Sequence, residues 1–457
     1  MFDPENFSGK KACVLGGGRS GVECARLLSG KGFSVILSES KTCEIAPVPG
    51  VEIETGGHTD KIISCGFAVK SPGIPSKSSV LQKLRSAGIP VFSEVETALA
   101  FCPECEVFAV TGTNGKTTTT ALLAEILAES VKKTPGKKAL AGGNIGTAAS
   151  KLALEAKKGD FLALELSSYQ LEDSTYIKPH AACVLNLTPD HLERHGSMDG
   201  YAEAKKKIFA FQDGTDSCVF NAEDGLCLSL AKNCPSRALF FSSTKQGGNL
   251  NGRVKDGKII FSLGEKTSAV LPPELPGVHN LENAMAAGLM ALSAGVSPDD
   301  ISAAFAGFKG VPHRLEDCGL VGGVRFINDS KATNVDSTLT ALRAFGSGGK
   351  NVWLVLGGLG KGSPYNPLYG HISKSVKAIL TIGSDARKIE KELSGSAPLI
   401  SCGSLERAVD ACLERAEPGD ILLFSPACAS FDQFRDFEDR GNFFKNLARA
   451  KLTGHSR

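Results

Sequence analysis

The chain has no excess of either charge: 51 Lys and Arg against 49 Asp and Glu leave a formal net charge of +2 over 457 residues. That balance gives no electrostatic case for a nucleic-acid or membrane-surface partner. No apolar run reaches membrane-spanning length. The opening Met1-Phe-Asp-Pro-Glu-Asn lacks the basic region and apolar core of a secretory signal. A cytoplasmic location is expected. The sequence also lacks a disulfide or zinc pattern, although it holds 14 cysteines. They are scattered, and several (Cys13, Cys183, Cys412) sit in apolar runs where the thiol acts as a small hydrophobe. Cys102-Pro-Glu-Cys105 has no second half to complete a metal site and reads as linker. His191-Leu-Glu-Arg-His195 spaces two histidines by four but is not the H-E-x-x-H of a zinc protease. No internal repeat is evident. At this length a single core is excluded, and two to four domains are expected.

Against these absences stands Val110-Thr-Gly-Thr-Asn-Gly-Lys-Thr117. The apolar run Glu106 to Val110 before it has the length of a buried strand. After it, Leu122, Leu123, Ile126 and Leu127 recur at helical spacing. A strand-to-helix turn with glycines at 112 and 115 lets backbone N–H groups and the helix's positive end face one anion. Thr113 and Asn114 belong to the same cradle. Lys116 would reach terminal phosphates, and the Thr117 hydroxyl would hold magnesium. The longer standard pattern wants glycine at 110, where this chain has Val110. ATP or GTP is the expected ligand.

Strands alternate with helices through three segments, which implies parallel sheets wound on both sides. The expected fold class is α/β in three domains: a Rossmann-like N-terminal domain (1–104), a central P-loop ATPase-like domain (105–310) and a C-terminal Rossmann-like domain (311–457). In the first, Lys11 to Leu15 and Ser34 to Leu37 read as strands around Gly16, Gly18 and Gly21, with Glu39 about twenty residues on. That is the dinucleotide fingerprint. It suits an NAD or FAD enzyme, and it suits a nucleotide-diphosphate substrate equally well. Val69 to Ile74 reads as a strand ending in a turn. In the second, Gly142 to Gly146 reads as a polar turn, Asp160 to Leu166 and Ala181 to Leu187 as strands, and 215–270 as β-rich and turn-rich, with turns at Gly247-Gly-Asn, Asn251-Gly and Asp256-Gly. In the third, strands are expected at 324–328, 352–356, 378–382 and 421–424, with a last amphipathic helix from about Asp432 to Ala450.

Polar residues gather where these strands end. Glu165 closes an apolar strand near the phosphate loop, where a second magnesium ligand is wanted, although an acid merely leaving for solvent fits too. Asp190 and His191 follow the next strand; His191 suits a metal, a carboxylate or a plain surface loop. Tyr201-Ala-Glu-Ala-Lys-Lys-Lys207 is helical, and Lys206 and Lys207 read as a solvated face. Spacing does not separate Lys205 from them. Asp329 could take a ribose or base, Lys331 a γ-phosphate, and Lys361 a carboxylate as a point charge. Such loops suit an enzyme holding ATP and an anionic substrate better than a binding module.

In order, these pieces resemble the Mur ligases, ATP-dependent amide-forming enzymes of bacterial peptidoglycan synthesis. The likeness covers almost the whole chain. It is carried by 111–117, Gly143-Asn-Ile-Gly146, Leu164-Glu-Leu-Ser-Ser-Tyr-Gln-Leu-Glu172, 186–191, Pro276 to Asn280, Pro312-His-Arg314, Ile327 to Asn334 and Ser425 to Phe434. The runs at 165–172 and 425–430 point to the member that adds glutamate. The family's shorter Gly-x-x-Gly-Lys-Thr loop accounts for Val110. The resemblance implies cell-wall biogenesis, hence cell shape and division, and the partners ATP, UDP-N-acetylmuramoyl-L-alanine and D-glutamate. It implies an acyl-phosphate intermediate, with Lys116, His191 and Lys205 as catalytic positions. Thr117 and Glu165 would hold one Mg2+, and His191 with a carbamylated Lys205 a second. Asn280, His313, Arg314, Asp329 and Lys331 match ATP-holding positions; Thr333, Lys361, Ser430 and Phe437 match the glutamate pocket. Ser20, Glu39 and Gly73 would take the uridine diphosphate, and Asn144 the muramoyl portion. Two positions depart from the family: Leu359 stands where an acid is frequent, and Glu39 where aspartate is. A monomer is expected.

The nearest alternative is a sibling ligase for another amino acid, a diaminopimelate-adding or folylpolyglutamate type; the former's Asp-Asn-Pro-Arg motif is absent. An NAD-dependent oxidoreductase would explain Gly16 to Gly21 and leave the Lys116 loop idle. A nucleotide-binding regulator would hold ATP and release no phosphate.

Overall fold

The computed structural model describes residues 2–102 and 104–454. Three sheets carry the described residues, and their central strands are buried apolar runs, two of them opened by a half-buried charged residue (Lys11, Glu106), as sheets covered on both faces require. The first sheet holds β1 (Lys11–Leu15), β2 (Ser34–Ser38), β3 (Val51–Glu54), β4 (Phe67–Lys70) and β5 (Val91–Ser93). All its pairs are parallel, in the order β3-β2-β1-β4-β5. The order reverses between β1 and β4, so the crevice beyond Leu15 and Lys70 is where such a sheet takes a ligand.

The second sheet holds β6 (Glu106–Thr111), β7 (Ala139–Gly143), β8 (Phe161–Glu165), β9 (Ala181–Val184) and β10 (Ser217–Asn221). It continues with β11 (Arg237–Ser242), β12 (Gly252–Lys255), β13 (Lys258–Leu263) and β14 (Lys266–Val270). The order is β14-β13-β12-β11-β10-β9-β6-β8-β7, which puts the phosphate-loop strand β6 between β8 and β9. Two expectations are corrected here. The segment 142–146 is not all turn, because Gly142 and Gly143 finish β7 in register with Leu164 and Glu165. The sheet is not wholly parallel, because β12 to β14 form an antiparallel meander. Its tight turn at Asp256-Gly257 is a hairpin signal that admits no crossover helix.

The third sheet holds β15 (Glu316–Val321), β16 (Val324–Asn328), β17 (Val352–Gly357), β18 (Val376–Ile382), β19 (Leu399–Gly403) and β20 (Ile421–Phe424). Its order is β15-β16-β20-β17-β18-β19, antiparallel only at the edge pair β15 and β16. The last helix runs Phe437–Gly454, later than expected, because the Asp436 carboxylate accepts the Asp439 amide at 2.7 Å and fixes the start there. The chain divides into two compact units: Met1–Pro273 with Leu281–Phe308, which contains the first two sheets, and Glu274–Asn280 with Lys309–Arg457, which contains the third. The boundary passes inside the helix Val278–Ser293. No helix among the described residues is long and apolar enough to cross a membrane. The linker reading of Cys102 and Cys105 takes a different form, since both thiols are buried in the core; Pro103 lies outside the described residues.

Candidate active site

In the first unit, β6 ends at Thr111 and the helix Lys116–Val131 begins at once, with Gly115 as its cap in the left-handed region (φ 85°). A Cβ at Gly115 would also run into the Asn283 side chain, so only glycine fits. The loop is fastened from outside. Thr113 donates its amide to Asn186 O at 2.9 Å and its hydroxyl to Thr188 O at 3.1 Å. Asn114 exchanges a pair of hydrogen bonds with the Asn186 side chain, at 2.8 and 3.1 Å. Asp224 accepts the Leu187 amide at 2.8 Å, tying that strap to the helix Gly225–Ala231. Lys116 Nζ folds over the loop, donating to Gly112 O at 2.9 Å and Thr113 O at 2.8 Å.

Beside the loop, β8 delivers Glu165, 1% exposed. Its Oε1 accepts from Asn144 Nδ2 at 2.8 Å, while its Oε2 has no hydrogen-bond partner among the described residues. A buried carboxylate oxygen without a partner is costly unless a cation meets it. Thr117 is buried in the first turn of the neighbouring helix. Lys205, on the helix Met198–Lys206, is 1% exposed, whereas Lys206 and Lys207 are half-buried. Its Nζ donates to Gly112 O at 2.8 Å and Thr111 Oγ1 at 3.2 Å, so it lies against the loop. Burial, helped by the Lys116 ammonium, holds its pKa well below the ordinary lysine value. His191 sits in the left-handed region (φ 54°) as the cap of the helix Leu192–His195. Its ring lies 3.0 Å from the Tyr169 hydroxyl and 3.5 Å from Asp190. Lys116, Glu165, Asp190 and Lys205 thus share one electrostatic neighbourhood.

At the first sheet, Gly21 packs so closely on Gly16 that a Cβ there would strike its carbonyl. Ser20 lies in the first turn of the helix Arg19–Gly30. Glu39 turns back onto the loop: it accepts the Gly17 amide at 2.7 Å and the Lys41 amide at 3.0 Å, and these bonds lower its pKa. Gly73 is exposed in the turn after β4. Asn144 braces Glu165 by side chain and by its amide, 2.8 Å from Glu165 O.

In the second unit, Asp329 follows β16 and is 7% exposed. It accepts from Ser425 Oγ at 2.7 Å and from the Leu315 amide at 3.3 Å. Burial raises its pKa to about 7. Because the folded value exceeds the unfolded one, its contribution to stability is full below about pH 4 and is lost as pH rises through about 7. Comparing melting temperatures of wild type and Asp329→Asn at pH 5 and pH 8 tests this. The wild type should lose its advantage at the higher pH; parallel curves would contradict it. His313, Lys331 and Phe437 form one group: Lys331 Nζ lies 3.6 Å from the Phe437 ring centroid, and His313 meets the same ring edge-on at 6.2 Å. Phe437, matched to the glutamate pocket, therefore touches residues matched to ATP. Arg314 directs its charge at Asp329. Asn280 donates to Pro276 O at 2.7 Å. Lys361 Nζ is 3.5 Å from Thr333 Oγ1, and Ser430 is buried with its carbonyl accepting from Gln433 and Phe434. Arg440, which the sequence did not single out, is 1% exposed and clamps Ser330, Cys428 and Ala429 through 2.8–3.2 Å hydrogen bonds.

Residues 110–291 match the Mur ligase middle domain, and residues 313–428 the Mur ligase, glutamate ligase domain. The chain is 50% identical to a UDP-N-acetylmuramoylalanine--D-glutamate ligase of Elusimicrobium minutum, over 98% of this chain and 99% of that one. It is 41% identical to the ligase of the same name from Koribacter versatilis, over 96% and 97% of the two chains. Its fold is similar to that of a MurF ligase from Thermotoga maritima solved in complex with ADP, with a TM-score of 0.58 and 20% identity over 87% of this chain and 91% of that one. The strand-bounded phosphate loop, the α/β sheets that flank it in sequence and this full-length identity lead to one conclusion: the chain belongs to the Mur ligase family.

Proposed function

We propose that this ligase joins the terminal carboxylate of UDP-N-acetylmuramoyl-L-alanine to the amine of D-glutamate, with ATP converted to ADP and phosphate. The observation that carries the reading is a buried lysine, Lys205, laid against the phosphate loop in a chain half identical throughout to a D-glutamate ligase. Segment 1–104 takes the uridine diphosphate, 105–310 the ATP phosphates and 311–457 the amino acid. The work is cytoplasmic and done by a monomer. It serves peptidoglycan precursor synthesis.

A carboxylate oxygen attacks the γ-phosphorus, the bond to the ADP oxygen breaks, and an acyl phosphate forms. The amine nitrogen then attacks the carbonyl carbon and loses a proton, and the carbon–oxygen bond to phosphate breaks. Lys116, released from its own loop carbonyls, neutralises the transferring oxygens in line. The unpartnered Glu165 Oε2 fits a magnesium ion, which the Thr117 hydroxyl would also hold. When bound, magnesium would supply neutralisation of the phosphate charge. A second ion would take His191 and a carbamylated Lys205. The buried amine favours its neutral form, whose nitrogen can add to CO2 with loss of a proton, giving an oxygen ligand in place of a cation. Asn144 sets Glu165, and Glu39 sets the first loop's amides for a diphosphate.

Labelling the substrate's terminal carboxylate with oxygen-18 tests the intermediate: one labelled oxygen should appear in phosphate, and label kept wholly in the amide product would refute it. Glu165→Gln should raise the Mg2+ concentration for half-maximal rate by at least about tenfold, since the Asn144 contact survives while the charge is lost. An unchanged magnesium titration would remove Glu165 from the metal.

A further inference from the structure

Arg194 carries no part of the chemistry above, yet it binds both sides of it. Its side chain is 13% exposed and lies three residues after His191. Nη2 donates to Pro72 O at 3.3 Å and Ile74 O at 3.1 Å, the two carbonyls that bracket Gly73. Nε spans both oxygens of Glu172, at 3.0 and 3.2 Å, and Nη2 meets Glu172 as well. Glu172 in turn accepts from Ser76 Oγ at 2.7 Å, farther along the same turn. The guanidinium lies 4.5 Å from the Tyr169 ring centroid, and the Tyr169 hydroxyl is 3.0 Å from His191 Nδ1.

A flat cation with five donors can grip a carboxylate, two carbonyls and an aromatic face at once; a lysine cannot. We propose that Arg194 is a positioning residue that holds the Gly73 turn for the nucleotide-sugar substrate and, through Tyr169, sets the ring of His191. This rests on the ligase reading. The buried Lys70–Asp173 ion pair fastens the end of β4 independently, so loss of Arg194 misplaces the turn without detaching it.

The test uses full-length Arg194→Lys and Tyr169→Phe proteins. Calorimetry gives the Kd of UDP-N-acetylmuramoyl-L-alanine, and kinetics give KM for each substrate and the magnesium dependence. Arg194→Lys should weaken nucleotide-sugar binding about tenfold, the worth of one or two charge-assisted hydrogen bonds, with KM for D-glutamate and ATP within about twofold of wild type. Tyr169→Phe keeps the ring under the guanidinium but loses the hydroxyl, so it should leave that Kd unchanged and raise the magnesium requirement severalfold. A wild-type Kd in Arg194→Lys, or equal losses for all three substrates, overturns the proposal. A wild-type enzyme that binds the nucleotide-sugar but forms no product overturns the ligase reading instead.

Discussion

Lys205→Ala is expected to lower kcat about 1000-fold while the protein still folds. The amine is buried against Gly112 O and Thr111 Oγ1, with no carboxylate among the described residues in hydrogen-bond contact to explain its presence. Neither contact is indispensable to the loop: Gly112 O also accepts from Lys116, and the Thr111 hydroxyl donates to Leu166 O at 2.7 Å. Removal therefore costs chiefly function. The carbamate account adds a second observable. Carbon-13-labelled bicarbonate should give a carbamate resonance in the wild type and none in Lys205→Ala, and wild-type activity should fall in CO2-depleted buffer. Because the amine must be neutral, occupancy should decline as pH falls through its lowered pKa. Full activity in Lys205→Ala would refute the assignment.

Lys116→Ala is expected to cost at least about 1000-fold in kcat, the scale of losing a cation that neutralises a transferring phosphoryl group. Alanine suits the first turn of the helix Lys116–Val131, and the loop keeps its straps to Asn186 and Thr188, so the fold persists. The reading requires the defect to sit in phosphoryl transfer. Single-turnover formation of ADP should slow as much as kcat does, with nucleotide binding weakened less. If ADP forms at the wild-type rate and only amide formation slows, Lys116 belongs to the second step.

How far the site could be read from residues follows from how local each signal is. The strand-to-helix loop was legible because strand, glycines, lysine and helix are contiguous, and the place of Glu165 at the end of β8 because an acid ending an apolar strand stands out. Lys205 was not separable from Lys206 and Lys207 by spacing; only burial distinguishes it. The partners of polar edge residues were invisible, since Asn114 and Asn186 are 72 positions apart and Asp224 lies farther on. For the same reason Glu39 and Asn144 could be placed at the right sheet edges but not in their contacts: one braces the Gly17 amide, the other Glu165. Arg194 and Arg440 gave no motif at all, because their roles are built from backbone carbonyls contributed by distant turns. In the fold, alternation predicted parallel sheets correctly at the centres. It does not extend to β12 to β14, where the turn-rich composition of 215–270 already marks the Asp256-Gly257 reversal, nor to β15, which a Gly-Gly turn reverses without having been singled out.

The most direct measurement of the central claim is phosphate release with ATP, Mg2+ and UDP-N-acetylmuramoyl-L-alanine against a panel of amino acids, with the product weighed by mass spectrometry. The account predicts release and an amide product with D-glutamate alone. Release only with a diamino acid, or ATP binding without release for any of them, would contradict it.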